Sequence, residues 1–139
     1  MAGIALAQLP YLDRDNAYRR TLAQWYTEAF SKYPGQISLV KIPDDCVTAQ
    51  HLFQIMVKDR DGLMMYLNGN DIYPGVHYIA NTDYCMYEYG KGTCPKADFA
   101  SAHIISLPIH MGVTFEDVQY ITGIVVKYIM EIRKGESYK

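Results

Sequence analysis

The sequence predicts a small α+β fold, a sheet of about three to four short strands packed by helices. Three observations lead there. Long amphipathic patterns stand at both ends of the chain, short β-type runs lie between them, and no linker, repeat or low-complexity stretch divides it. The 139 residues suit one domain spanning 1–139, long enough to bury a core without disulfide staples. Half of the residues are hydrophobic and a fifth are charged, a composition of folded rather than disordered chains.

Residues 3–32 read as a long N-terminal helix. Leu22, Trp25, Tyr26, Ala29 and Phe30 recur at spacings of three and four and form an apolar stripe. Pro10 is expected to kink this helix or to mark the start of its regular part. Tyr33-Pro34-Gly35 ends it. Residues 37–112 are expected to hold a small mixed sheet and helices. Ile37–Ile42 reads as a strand closed by Pro43, and His51–Lys58 as a nearly continuous apolar, well-buried strand. Asp59 to Asp61 opens a short helix through Leu63, Met64, Tyr66 and Leu67, which ends at Asn68-Gly69-Asn70. Ile72–Tyr78 reads as a third strand bent at Pro74-Gly75, and residues 81–93 as a tyrosine-rich connection. Pro95–Ala102 reads as a helix with Pro in its first turn. His103–Ile109 is a short apolar segment around Pro108. Thr114 and Asp117 make a capping-box-like start to a C-terminal helix over 114–134. Its stripe is Val118, Ile121, Val125, Tyr128 and Ile132, and a polar, frayed tail is expected from Gly135.

Charge and targeting narrow the function. The net charge is −2, with no concentrated basic patch, so neither nucleic acid nor an anionic membrane is an expected partner. No run of about 18 apolar residues occurs, and the apolar start from Met1 to Leu9 has no basic flank, so neither a membrane span nor a signal peptide is expected. An odd cysteine count (Cys46, Cys85, Cys94) argues against a secreted disulfide framework and for reduced thiols in the cytoplasm. The 13 tyrosines, against 4 Phe and one Trp, suggest amphipathic surfaces that are partly buried or waiting to be covered.

Few constellations carry chemistry. The three cysteines and His77, His103 and His110 lie in no Cys-x-x-Cys or His-x-x-x-His spacing, and no metal site is expected. Ser38 and Lys41 form a Ser-x-x-Lys, but in a β-type run residues three apart point to opposite faces. A Ser/His/Asp or Cys/His site stays open on sequence, because geometry defines it, although no nucleophile elbow or phosphate-cradling glycine loop occurs. Asp71–Tyr89 is the most pointed segment. Pro74-Gly75 permits a bend with close backbone approach, and His77, Tyr78, Asn81, Asp83, Tyr84 and Tyr87 follow it. That mixture of donors, acceptors and aromatic faces suits a sugar or nucleotide, and equally suits plain packing.

Three ordered stretches carry a resemblance. The first is Ala5-Leu6-Ala7-Gln8-Leu9-Pro10-Tyr11-Leu12-Asp13, with Asn16 and Tyr18-Arg19-Arg20. The second runs from His51-Leu52-Phe53 through Lys58-Asp59-Arg60-Asp61 to Ile72-Tyr73-Pro74-Gly75-Val76-His77-Tyr78. The third is Gly92-Thr93-Cys94-Pro95-Lys96-Ala97 with Ser106-Leu107-Pro108-Ile109-His110, followed by Thr114-Phe115-Glu116-Asp117-Val118. Together they resemble the C-terminal small domain of the DegT/DnrJ/StrS family of pyridoxal-phosphate (PLP) sugar aminotransferases, a fold-type-I architecture. The resemblance implies that the PLP lysine, the acidic partner of the pyridinium nitrogen and the phosphate-binding residues belong to a large domain absent from this stretch. None of Lys41, Lys58, Lys91 and Lys96 falls where the family's lysine would. It therefore implies no catalytic or cofactor residue here, and no transamination by this chain alone. It further implies His77 and Tyr78 as contacts to a nucleotide-sugar, with Tyr73 and Asn81 as outer candidates, and His103 and His110 as structural. The partner implied is a second copy in a homodimer, or a separate PLP-binding domain completing a split enzyme. A binding module without catalysis is the alternative.

Overall fold

The structure, a computed structural model, describes residues 2–136, the last five by backbone alone. The N-terminal helical stretch is two helices rather than one. Helix α1 (Ala2–Gln8) gives way to a 3-10 turn, Leu9–Tyr11, before α2 (Leu12–Phe30). Pro10 sits in that turn, where its missing N–H and its ring interrupt the helical ladder. The buried stripe of α2 is Leu22, Ala23, Tyr26 and Phe30; Trp25 and Ala29 lie on its margins. Trp25 meets Phe115 edge to face at 4.9 Å between ring centroids.

The sheet has three strands in the order β1-β2-β3: β1 is Ser38–Leu39, β2 is Phe53–Met56 and β3 is Ile104–Leu107. Both pairings are antiparallel, so the sheet is not the mixed one expected. Two further expectations are corrected. Ile72–Tyr78 forms no strand; it touches β3 through one antiparallel bridge, Gly75 to Ser106. Pro74 has no N–H to give to a ladder, and the described residues on either side of Gly75 add no further bridge. The third strand comes instead from the apolar segment before Pro108, registered as Phe53 opposite Leu107 and Ile55 opposite Ile105. β1 is far shorter than the run 37–42, since Val40, Lys41 and Ile42 continue unpaired and exposed.

Strand alternation sorts the two faces. Phe53, Ile55, Ile105 and Leu107 point into a core shared with α2, with α3 (Arg60–Asn68) and with α5 (Phe115–Glu136). Leu22, Leu63, Leu67, Val118 and Val125 fill that layer and are all but inaccessible. Each such side chain contributes about 1.5–3 kcal/mol through removal from water. Tyr26 lies stacked on Phe53 at 4.8 Å and donates its hydroxyl to the Pro108 carbonyl at 3.0 Å. Burial, with the negative Asp117 as a lesser cause, holds the Tyr26 pKa well above the ordinary phenol value.

Caps close the helices. Asp59 accepts from Gly62 N at 3.1 Å at the start of α3, a side-chain cap on a free helical N–H. Its other oxygen accepts from the Tyr128 hydroxyl at 2.7 Å. At α5, Thr114 N donates to Asp117 Oδ2 at 2.8 Å while Asp117 N donates to Thr114 Oγ1 at 3.2 Å. This is a reciprocal capping box. Val118, Ile121 and Val125 are buried and Tyr128 lies at the edge of the core. The Ile132 side chain lies outside the described residues. The helix includes Gly135 and Glu136, where composition suggests a frayed tail, and residues 137–139 lie outside the description.

Candidate functional site

The second face of the sheet carries polar side chains. Gln54 of β2 and Ser106 of β3 are register partners, so their side chains stand together on the face opposite the core. Residues 75–82 are pinned at the edge of β3 and on the helix that precedes it. Gly75 N donates to Ser106 O at 3.0 Å and Ser106 N to Gly75 O at 2.8 Å. Ala80 N donates to the buried Ser101 Oγ at 2.9 Å, and Thr82 Oγ1 to Asp98 Oδ1 at 3.3 Å. Ser101 and Asp98 belong to α4 (Pro95–His103).

His77 is the centre of the cluster. Its Nδ1 lies 3.0 Å from Ser106 Oγ, and its carbonyl accepts from Gln54 Nε2. Its ring lies against Gly75: a Cβ there would sit 2.5 Å from His77 Cε1, so any side chain would displace the imidazole. This is the close approach for which a glycine is needed. The His77–Tyr78 peptide bond is cis, and the Tyr78 ring meets the His77 ring edge-on at 5.3 Å. Tyr78 is 73% exposed, as is Tyr73. Asn81 opens a 3-10 turn, Asn81–Asp83, with its side chain exposed. Among the described residues no hydrogen bond or ring contact joins Tyr73 or Asn81 to His77. The structure thus brings His77 and Tyr78 together and leaves the two outer candidates as neighbours along the chain.

Sequence reasoning anticipated the close approach at Gly75 but missed Gln54 and Ser106 as the frame of His77. Strand pairing alone reveals them, since Gln54 stands 23 residues before His77 and Ser106 stands 29 after it. The Ser106–His77 pair is not a nucleophile arrangement. The hydroxyl is buried, and among the described residues no carboxylate orients the imidazole. His103 Nδ1 lies 2.6 Å from the Phe99 carbonyl, and His110 Nδ1 accepts from Gly112 N at 3.2 Å. No group of three or more His, Cys, Asp or Glu stands close enough to hold a metal among the described residues. Cys46, Cys85 and Cys94 are exposed and form no disulfide. No helix among the described residues is long and apolar enough to cross a membrane.

A PLP site requires a lysine held in a pocket that orients the cofactor ring. Lys32, Lys41, Lys58, Lys91, Lys96 and Lys127 are all exposed, so the side chains described do not fit the cofactor.

Residues 1–126 match the DegT/DnrJ/EryC1/StrS aminotransferase family, which is most of the chain. The chain belongs to that family. It is 31% identical over 129 residues to the dTDP-3-amino-3,6-dideoxy-alpha-D-galactopyranose transaminase of Aneurinibacillus thermoaerophilus, covering 91% of this chain and 35% of that protein. The fold is that of solved aminotransferases. DesV of S. venezuelae superposes with a TM-score of 0.85 at 24% identity, over 92% of this chain and 35% of DesV. Helicobacter pylori PseC, an aminotransferase involved in the biosynthesis of pseudoaminic acid, gives 0.80 at 24% identity, over 91% and 36%. This DegT-family chain thus spans about a third of the length of the relatives it matches.

Proposed function

We propose that this stretch is the small-domain part of a nucleotide-sugar aminotransferase, closing over the substrate side of the active site. A PLP-binding domain, in the same polypeptide or a separate one, supplies the lysine and the cofactor chemistry. His77 and Tyr78 face the nucleotide-sugar, with Tyr73 and Asn81 around them. The supporting observation is the contrast within one loop. His77 is anchored on Ser106 and Gln54 while the tyrosine beside it is displayed to solvent. Such an arrangement offers a fixed donor and an aromatic face. The similarity to a transaminase of a dTDP-sugar supports the ligand class. The setting is cytoplasmic, where exposed thiols stay reduced.

Calorimetry with dTDP- and UDP-sugars tests the site. His77→Ala is expected to weaken binding about ten- to hundredfold, the worth of a hydrogen bond to a charged group. Unchanged binding removes His77 from the site. The 139-residue chain mixed with PLP is expected to show no absorbance band of lysine-bound cofactor. A band abolished by changing one lysine overturns the reading that the chain is inactive alone.

A second reading concerns assembly. Ile4, Leu6 and Leu9, at 69%, 71% and 61% exposure, leave the N-terminal helical stretch apolar and uncovered. Such a surface favours association, in a homodimer or with the PLP-binding domain. Light scattering is expected to find a dimer of the isolated chain, and a strict monomer at high concentration counts against self-association.

A further inference from the structure

We propose that Ser106 is a positioning residue that sets the tautomer of His77, keeping the imidazole proton on Nε2, so that the ring offers a donor to an oxygen of the ligand. The ligand half of this statement rests on the substrate-side reading of His77; the tautomer half rests on the geometry of the loop.

Ser106 is only 3% exposed, within β3. Its main-chain N–H and C=O are both taken by Gly75. Among the described residues its hydroxyl has one partner, His77 Nδ1 at 3.0 Å. A hydroxyl hydrogen needs an acceptor when it is removed from water. If Nδ1 carried a proton, the ring would donate to Oγ and the hydroxyl hydrogen would be left without an acceptor in a buried place. With Nδ1 bare, Ser106 donates, both atoms are satisfied, and the proton sits on Nε2. That nitrogen has no protein partner among the described residues, and His77 is partly exposed. Gln54 holds the His77 carbonyl and Gly75 lies against the ring at Cε1, so the imidazole is held at its backbone and at one edge. A neutral imidazole fixed by a hydrogen bond on one nitrogen presents a defined donor or acceptor on the other. Here the defined group is a donor.

Nitrogen-15 NMR of the ligand-free 139-residue chain reads the tautomer directly. The wild type is expected to carry the proton of neutral His77 on Nε2. Ser106→Ala is expected to give a mixture of tautomers, and Ser106→Thr, which keeps the hydroxyl, to restore Nε2–H. Binding of dTDP-glucose is expected to fall about three- to tenfold in Ser106→Ala and to recover in Ser106→Thr. A wild-type ring protonated on Nδ1, or a tautomer unchanged by Ser106→Ala, overturns the proposal. The wild-type spectrum decides the point even where Ser106→Ala fails to fold. An Nε2–H ring in a chain whose dTDP-glucose binding is untouched by His77→Ala supports the role of Ser106 and sinks the substrate-side reading instead.

Discussion

The two faces of one small sheet show how differently neighbouring residues of a strand are used. On the inner face Phe53, Ile55, Ile105 and Leu107 are sealed under α2, α3 and α5. On the outer face, one residue along each strand, Gln54 and Ser106 hold a loop through directional hydrogen bonds. The inner face gains its free energy from area and close packing, which tolerate little loss of volume. The outer face gains little net free energy per bond but fixes the angle and the polarity of His77. A sheet of three strands therefore serves as scaffold on one side and as template on the other.

The contrast can be broken most forcefully on the dry side. Ile55 has no solvent exposure. Ile55→Ala is expected to cost about 2–5 kcal/mol in denaturant unfolding, while the fold is kept. The neighbouring Gln54 gives one side-chain hydrogen bond, to the His77 carbonyl. Gln54→Ala is expected to cost only about 0.5–1.5 kcal/mol in the same measurement, the net worth of such a bond. Equal losses at the two positions would mean that the outer face is core as well. At the end of the helical layer, Thr114 makes two side-chain bonds with Asp117. Thr114→Ala removes both and is expected to cost about 1 kcal/mol, the usual worth of a helix cap.

The rim of the dry layer gives a pH test of the same contrast. Burial, and then the hydrogen bond to Asp59 and its charge, push the Tyr128 pKa from 10.0 up to about 12. A folded-state pKa above the unfolded one stabilises the fold fully below pH 10 and loses that contribution as pH rises through about 12. Unfolding titrations are expected to show stability falling above pH 10, less steeply in Tyr128→Phe. Tyr26, raised chiefly by burial, keeps part of that slope in the variant. At low pH the sign reverses. Hydrogen bonds from the Thr114 backbone and side chain, ahead of the nearby His110, hold the Asp117 pKa below the ordinary carboxylate value. Its contribution is present above the unfolded carboxylate pKa and is lost as pH falls through the lowered one.

Much of the scaffold was legible in the chain. The stripe around Leu22, Tyr26 and Phe30 and the Thr114–Asp117 start of α5 are local patterns, readable because helix contacts recur within a few residues. The ordered motifs likewise identified the family. The misreadings came where the answer depends on a distant partner. Ile72–Tyr78 has the composition of a strand, yet one bridge to Ser106 is all the pairing it makes, while Ile104–Leu107 takes the place beside β2. Local chemistry and resemblance point to His77 and Tyr78, whereas Gln54 and Ser106, which hold His77, stand far from it in the chain. The sequence by itself determined the helices, the apolar inventory and the motifs of the family, since each depends on spacings within one element. Only the tertiary structure decided which segments pair, which face carries the polar side chains, and which hydroxyl meets Nδ1. Those depend on backbone hydrogen bonds between strands far apart in the chain, and residue type does not specify such partners in advance.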